Sequence, residues 1–178
     1  FIIQFKPPVT NPRLLVYAGL PAAKYLANTD PEADWAICRS AAERGIQLAL
    51  RTIVKEGDSV LHKHCRPVTN FDDRLHDLLD DLKETLANAG GAGLAAPQVG
   101  ILRRCVIVVD ENDEMLELVN PEVIERSEEI QDGFEGCLSV PGMWGMGERP
   151  MRVKVRAQDR TGAFFEAEGA GIVARCFC

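Results

Sequence analysis

Between Thr69 and Gly90 the residues Leu75, Leu78, Leu79, Leu82 and Leu86 recur every three or four positions, and beyond Gly100 that period gives way to two. Such a switch confines the chain to folds in which a helix lies against strands. The spacing predicts a helix over 69–90. Thr69 and Asp72 stand at capping-box separation, with Asp in place of the usual Glu or Gln, and Gly90 is the stop. Asp73, Asp77, Asp80 and Glu84 then form a solvated face. Strands are expected at Cys105–Val109, at Leu116–Val119, and at Val123–Ile124 with Ile130, bent or interrupted at its charged middle. Val153–Ala157 alternates and turns through Asp159–Gly162 into Phe164–Ala167. A short strand at Arg51–Lys55, closed by a turn at Glu56-Gly57-Asp58, precedes the helix, and Ile172–Phe177 opens a second helical pattern. The class is α+β, antiparallel strands around an amphipathic helix.

With 178 residues the chain is long enough to bury one proper core. Its formal net charge of −7, with no basic run beyond Leu102-Arg103-Arg104, argues against a specific nucleic-acid site. No apolar run approaches the roughly 18 residues of a membrane span, and no membrane association is expected. Six Cys without a dense framework read as a reducing, cytoplasmic protein. All four Met lie at Met115 or later, so Phe1 is not an initiator and the expectation is of a fragment. Residues 1–48 read as an extension of unknown role. Phe1 to Pro21, with four Pro, is expected to be irregular, and Thr29-Asp30-Pro31-Glu32 to start a helix continuing toward Leu48. Residues 49–178 form the folded domain.

Two segments break the ordinary pattern. Gly91 to Gly100 is built of small residues around Gln98, directly after the helix. Small residues let a backbone approach a ligand closely, and a Gln amide there can donate to an oxygen. The plain alternative is a tight helix-to-strand connection. Gly133 to Gly142 sets Cys137 beside Gly136, two residues after Glu135. Such a Cys can be a nucleophile, a soft metal ligand or a small buried apolar residue. A Cys–His pairing finds no support in the contexts of His62, His64 and His76. His62 and His64 read as a solvated pair on one face of a strand rather than as ligands, and His76 as a surface residue without a role.

Taken together, Gly91-Ala92-Gly93-Leu94-Ala95-Ala96-Pro97-Gln98 and Glu135-Gly136-Cys137-Leu138-Ser139 resemble the first two signature motifs of the peptide deformylases, in the right order. The resemblance runs from about Leu50 to Cys176 and includes the Arg51–Lys55 opening, the Leu-rich helix and Arg149-Pro150 with Val153–Arg156. It implies a hydrolase that removes the formyl group from the N-terminal formyl-methionine of new chains. The implied metal is Fe²⁺, often replaced by Zn²⁺, Ni²⁺ or Co²⁺, held by one Cys and two His. Carried over by position, Cys137 is the thiolate ligand, and Gln98 and the Leu138 N–H stabilise the oxyanion. Ala92, Gly93 and Gly136 line the bound peptide. The implied partners are formyl-methionyl nascent peptides near the ribosome exit, and the implied assembly a monomer or dimer. Amide hydrolysis needs a strong nucleophile, and a metal lowers the pKa of bound water from about 15.7 toward about 7.

The third motif of that family, Gln-His-Glu-Φ-Asp-His (Φ apolar) on a helix, has only its approach here, Gly171 to Phe177, with Cys178 at the place of the Gln. Both His ligands and the Glu base are expected beyond Cys178, on a metal-binding helix that is truncated, which leaves the chain as written inactive. The competing reading is a non-catalytic deformylase-like module that binds N-terminal peptides through Gly93, Gln98 and Leu138. Third comes a Cys-dependent amidase using Cys137, sensitive to alkylation and indifferent to chelators.

Overall fold

A computed structural model describes residues 3–4 and 50–178, so the helix expected near Thr29 lies outside the described residues. The Leu-rich segment forms α1, Asp73–Ala89, with Asp72 rather than Thr69 as its cap: the Asp72 carboxylate accepts the Leu75 N–H at 3.1 Å. The chain before it stays extended because Asn120 grips Val68 from both sides. Its Oδ1 accepts the Val68 N–H at 2.8 Å, and its Nδ2 donates to the Val68 carbonyl at 2.9 Å. Gly90, at φ 62°, ends the helix in a left-handed conformation that costs glycine nothing.

Seven further strands follow β1 (Ile3–Gln4). They are β2 (Gly93–Ala95), β3 (Cys105–Val109), β4 (Met115–Arg126), β5 (Ile130–Cys137), β6 (Val140–Pro150), β7 (Arg152–Gln158) and β8 (Phe164–Ala170). A second helix, α2 (Gly171–Phe177), closes the series. All pairings between these strands are antiparallel, in a five-stranded sheet of order β2-β3-β4-β7-β8 and a three-stranded sheet of order β1-β5-β6. This is the α+β fold expected.

Alternation along β3 explains the layering. Cys105 and Ile107 face α1 and join Leu79, Leu82, Leu86 and Leu94 in one core, while Val108 points the other way and packs with Val153, Val155, Val173 and Ala174 beneath α2. The large sheet is thus covered by a helix on each face. Among the described residues no helix is long and apolar enough to cross a membrane.

Several local expectations are corrected. Leu116–Val119 and Val123–Ile124 belong to one strand, β4, whose register against β7 slips between Val119 and Glu122 and again between Val123 and Glu125. Asn120, at φ 51°, and Pro121 absorb the first slip as a bulge, so the strand bends instead of ending. Arg51–Lys55 is no strand, because its Arg51 N–H goes to the Thr85 hydroxyl of α1 and its Val54 N–H to the Gln98 carbonyl, and it joins no ladder. His62 lies in a 3₁₀ turn, Ser59–His62, and His64 in an irregular segment, so the two share no strand. In the region expected to be irregular, Ile3–Gln4 forms β1. The second motif, for which the sequence gives no element, is the end of β5, a tight turn and the start of β6.

Candidate functional site

Gln98 sits in a 3₁₀ turn, Ala96–Val99, that follows β2 and starts with Pro97 near its first position. Its side chain is buried at 6% exposure, and its Oε1 accepts the Ala95 N–H at 3.0 Å. With the oxygen so occupied, the NH₂ must point away from β2. It meets Ser139 Oγ at 3.2 Å and Cys137 Sγ at 3.6 Å, residues 41 and 39 positions further along. Both signature segments therefore converge on one amide.

Cys137 ends β5, and Leu138-Ser139 make the turn into β6. Leu138 fixes this turn from beneath, since its side chain belongs to the core under α1. From the side, Lys55 Nζ donates to the Leu138 carbonyl at 2.9 Å, and the Glu56 N–H to the Ser139 carbonyl at 2.8 Å. The Val54 N–H reaches the Gln98 carbonyl, also at 2.8 Å. The segment expected as an opening strand instead clamps the two loops to each other. Neither Ser139 nor Lys55 was marked by sequence reasoning as a site residue. Ser139 lies inside the second motif, which was the signal available. Lys55 carried none, because its target is a backbone carbonyl 83 positions away.

Of the other predicted residues, Gly136 and Gly93 are buried in β5 and β2, where Gly93 pairs with Val108, and the Ala92 carbonyl accepts the Val109 N–H at 2.9 Å. Gly93 and Gly136 contribute backbone in extended form, the conformation that meets an extended peptide by strand-type hydrogen bonds.

Behind Cys137 lies an ion cluster. Glu135 accepts two bonds from Arg149, Nε at 2.9 Å and a terminal nitrogen at 2.8 Å, and one from Arg175 at 2.8 Å. Arg175, on α2, is only 2% exposed and also donates to the carbonyls of Gln131 and Gly147 and to Gln131 Oε1. The slot for it is cut by two glycines paired across β5 and β6, Gly133 and Gly147. A Cβ on Gly133 would come within 2.9 Å of the Arg175 guanidinium, and one on Gly147 within 2.9 Å of the Glu135 carboxylate. Arg149 keeps a raised pKa chiefly through its bonds to Glu135. The strand that carries Cys137 is thereby tied to α2 through fully partnered charges.

A family model for polypeptide deformylase matches residues 50–178. The chain belongs to that family. A peptide deformylase from Caldicellulosiruptor bescii is 51% identical over 131 residues, covering 74% of this chain and 78% of that one. One from Agathobacter rectalis is 49% identical, with 74% and 82% covered. Among solved structures, the peptide deformylase of Thermotoga maritima superposes with a TM-score of 0.69 at 39% identity, covering 72% of this chain and 87% of that one. A class I type b peptide deformylase from Acinetobacter baumannii with Met-Ala-Ser bound gives 0.68 at 32% identity, with 73% and 89% covered.

Peptide deformylases are metal-dependent, and the thiols and imidazoles of this deformylase-family chain are unevenly suited to a metal. Cys137 is half-buried beside Gln98, whereas burial pushes the Cys105 thiol up to about 12. Burial also raises Cys65, partly offset by Arg104. His62 is exposed and 3.6 Å from Glu56. His76 proves half-buried, contrary to the expected surface position: its Nε2 donates to the Arg160 carbonyl at 2.9 Å. Among the described residues no group of three or more His, Cys, Asp and Glu could hold a metal ion. The donor set present does not fit a complete deformylase metal centre.

Proposed function

We propose that this chain binds the formyl-methionyl end of a nascent polypeptide at the Gln98–Cys137–Leu138 site, the substrate class on which peptide deformylases act. The observation that carries the reading is the orientation of Gln98. Its oxygen is consumed by Ala95, and its NH₂ is aimed at Cys137 and Ser139. An amide held this way is a preorganised donor for the oxygen of a formyl group, and that oxygen gains negative charge when the carbon is attacked. The Leu138 N–H is the second donor, its position set by the buried Leu138 side chain and by Lys55 on its carbonyl. Loss of one such donor costs a hydrolase roughly 100- to 1,000-fold in rate. Ala92, Gly93 and Gly136 line the peptide backbone, and the Met-Ala-Ser carried by the A. baumannii relative supports a short peptide that starts with Met as the kind of ligand.

Cys137 is the thiol this site offers to Fe²⁺, Zn²⁺, Ni²⁺ or Co²⁺. The sequence holds three His, and none is grouped with Cys137. These donors do not complete a metal centre among the described residues, and residues 1–178 are proposed to bind the peptide end without turning it over. The same reading puts the protein in the cytoplasm near the ribosome exit, as a monomer or dimer, with residues 1–48 as an appendage to the domain at 49–178.

Calorimetry with formyl-Met-Ala-Ser and with Met-Ala-Ser tests this, together with a deformylation assay on protein incubated with Co²⁺. Expected are binding of the formyl peptide, at least tenfold weaker binding by Gln98→Ala, and no turnover. Turnover at ordinary enzymatic rates would remove the claim of inactivity. Binding that is absent, or indifferent to Gln98→Ala, would remove the site assignment.

A further inference from the structure

We infer that Ile3–Gln4 is an internal competitor for the peptide edge of β5, occupying in cis the backbone that an incoming peptide needs; this rests on the peptide-site reading above. Strand β1 pairs antiparallel with β5, and its two partners are Cys137 (opposite Ile3) and Gly136 (opposite Gln4). Those are the residues assigned above to the thiolate and to the peptide lining. Strand β6 takes the other edge of β5, so among the described residues β1 occupies, at Gly136 and Cys137, the edge left for an extended chain. An unpaired edge is a template for strand addition, and a β-rich segment of the same chain is its nearest occupant. The surrounding run Phe1-Ile2-Ile3-Gln4-Phe5 is made of the aromatic and β-branched types that favour extended pairing, with Gln4 the exception.

The contact is built to be reversible. Of two adjacent antiparallel pairs only one exchanges main-chain hydrogen bonds, so β1 contributes a small number of bonds to the edge. Its advantage over a free peptide is tethering, which raises its local concentration without adding contacts. A peptide then binds with an affinity reduced by the fraction of molecules whose edge is open. The consequence is a site that answers to ligands able to displace β1.

The test compares the full chain with the double variant Ile3→Pro/Gln4→Pro, in which both donors of β1 are removed. Hydrogen exchange is read at the Gly136 and Cys137 amides, and formyl-Met-Ala-Ser affinity by calorimetry. Expected are exchange at least tenfold faster at one of the two amides and at least threefold tighter peptide binding in the variant. The synthetic hexapeptide Phe-Ile-Ile-Gln-Phe-Lys should restore slow exchange to the variant and, added to the unaltered chain, weaken its binding of the formyl peptide. Unchanged exchange, with no effect of the hexapeptide, would overturn the pairing. Faster exchange with unchanged affinity would overturn the competition. If exchange behaves as expected but neither protein binds the formyl peptide, strand addition stands and the peptide-site reading falls.

Discussion

Cys105 and Cys137 are both thiols at strand ends, yet one is buried and the other is half-exposed. Cys105 is 3% exposed in the core under α1, and burial holds its thiol near a pKa of about 12, leaving negligible thiolate at neutral pH. Cys137 is half-buried at the turn, and Cys178 is exposed. Iodoacetamide at about neutral pH should therefore modify Cys178 and Cys137 in the folded protein, with Cys105 reached only after denaturation. Peptide mapping by mass spectrometry reads this directly, and early labelling of Cys105 would contradict its place in the core. Glu135 holds two guanidinium groups at once. Glu135→Ala leaves Arg175, nearly fully buried, and Arg149 without their carboxylate, and removing one partner of a buried ion pair costs about 3–5 kcal/mol. A denaturant midpoint lowered by an amount equivalent to about 3 kcal/mol is expected, Arg149 being partly exposed to water. A loss near zero would mean that the carbonyls of Gln131 and Gly147 suffice for Arg175.

Among the elements, α1, β4 and the β7–β8 turn are joined by charge as well as by packing. Arg160, in that turn, donates to Glu117 of β4 and, at 2.7 Å, to Asp80 of α1, while Lys83 lies 2.6 Å from Glu117. Burial pushes the Glu117 carboxyl up, but the bonds from Arg160 and Lys83 outweigh it and hold the group below its ordinary range. The folded-state pKa is thus below the unfolded value of about 4.3. Its contribution is full above that value and is lost as the pH falls through the folded one. Glu117→Gln should cost about 1–2 kcal/mol near neutral pH, the cations being partly exposed, and the gap to the unaltered protein should narrow as the pH falls below about 4. Urea midpoints at both pH values check it, and a pH-independent gap would show that shape rather than charge is at stake. Helix α1 and strand β3 were legible in the sequence because their apolar periods are set by one buried face each. Strand β6 was not, because Met143, Trp144 and Met146 lie exposed and carry no inward-facing pattern. The cap at Asp72 was misjudged because the grip of Asn120 on Val68, 52 positions apart, is invisible to a local rule. Arg175 was read only as part of a helical run, since its burial depends on Glu135 and on two glycines of other strands. The site motifs were legible as types in order, whereas Lys55 and the aim of the Gln98 amide emerged only from the folded chain.

Among the described residues the molecule has two well-covered faces and one that is bare. Helices α1 and α2 bury both sides of the five-stranded sheet, but the β5–β6 ribbon has one face turned inward and one turned out. Glu135 and the Gly133–Gly147 slot face Arg175, so residues two apart from one another on the opposite face must point away. There Phe134 pairs with Met146 and Gly136 with Trp144, leaving Phe134 62%, Met146 65% and Trp144 43% exposed, with Met143 at 68% nearby. A contiguous apolar ribbon of this kind favours association, which hydrophobic burial drives and which kosmotropic salts strengthen instead of screening. The unaltered chain should therefore self-associate as its concentration rises over a roughly tenfold range, more so in ammonium sulfate than in sodium chloride of equal ionic strength. Phe134→Thr/Met146→Thr should abolish most of that association and change stability by no more than about 0.5 kcal/mol per substitution, because both side chains already face water. Sedimentation velocity distinguishes the outcomes. Association that persists in the double variant, or that falls with added sodium chloride, would assign it to charged surfaces elsewhere and leave the ribbon as a tolerated exposure.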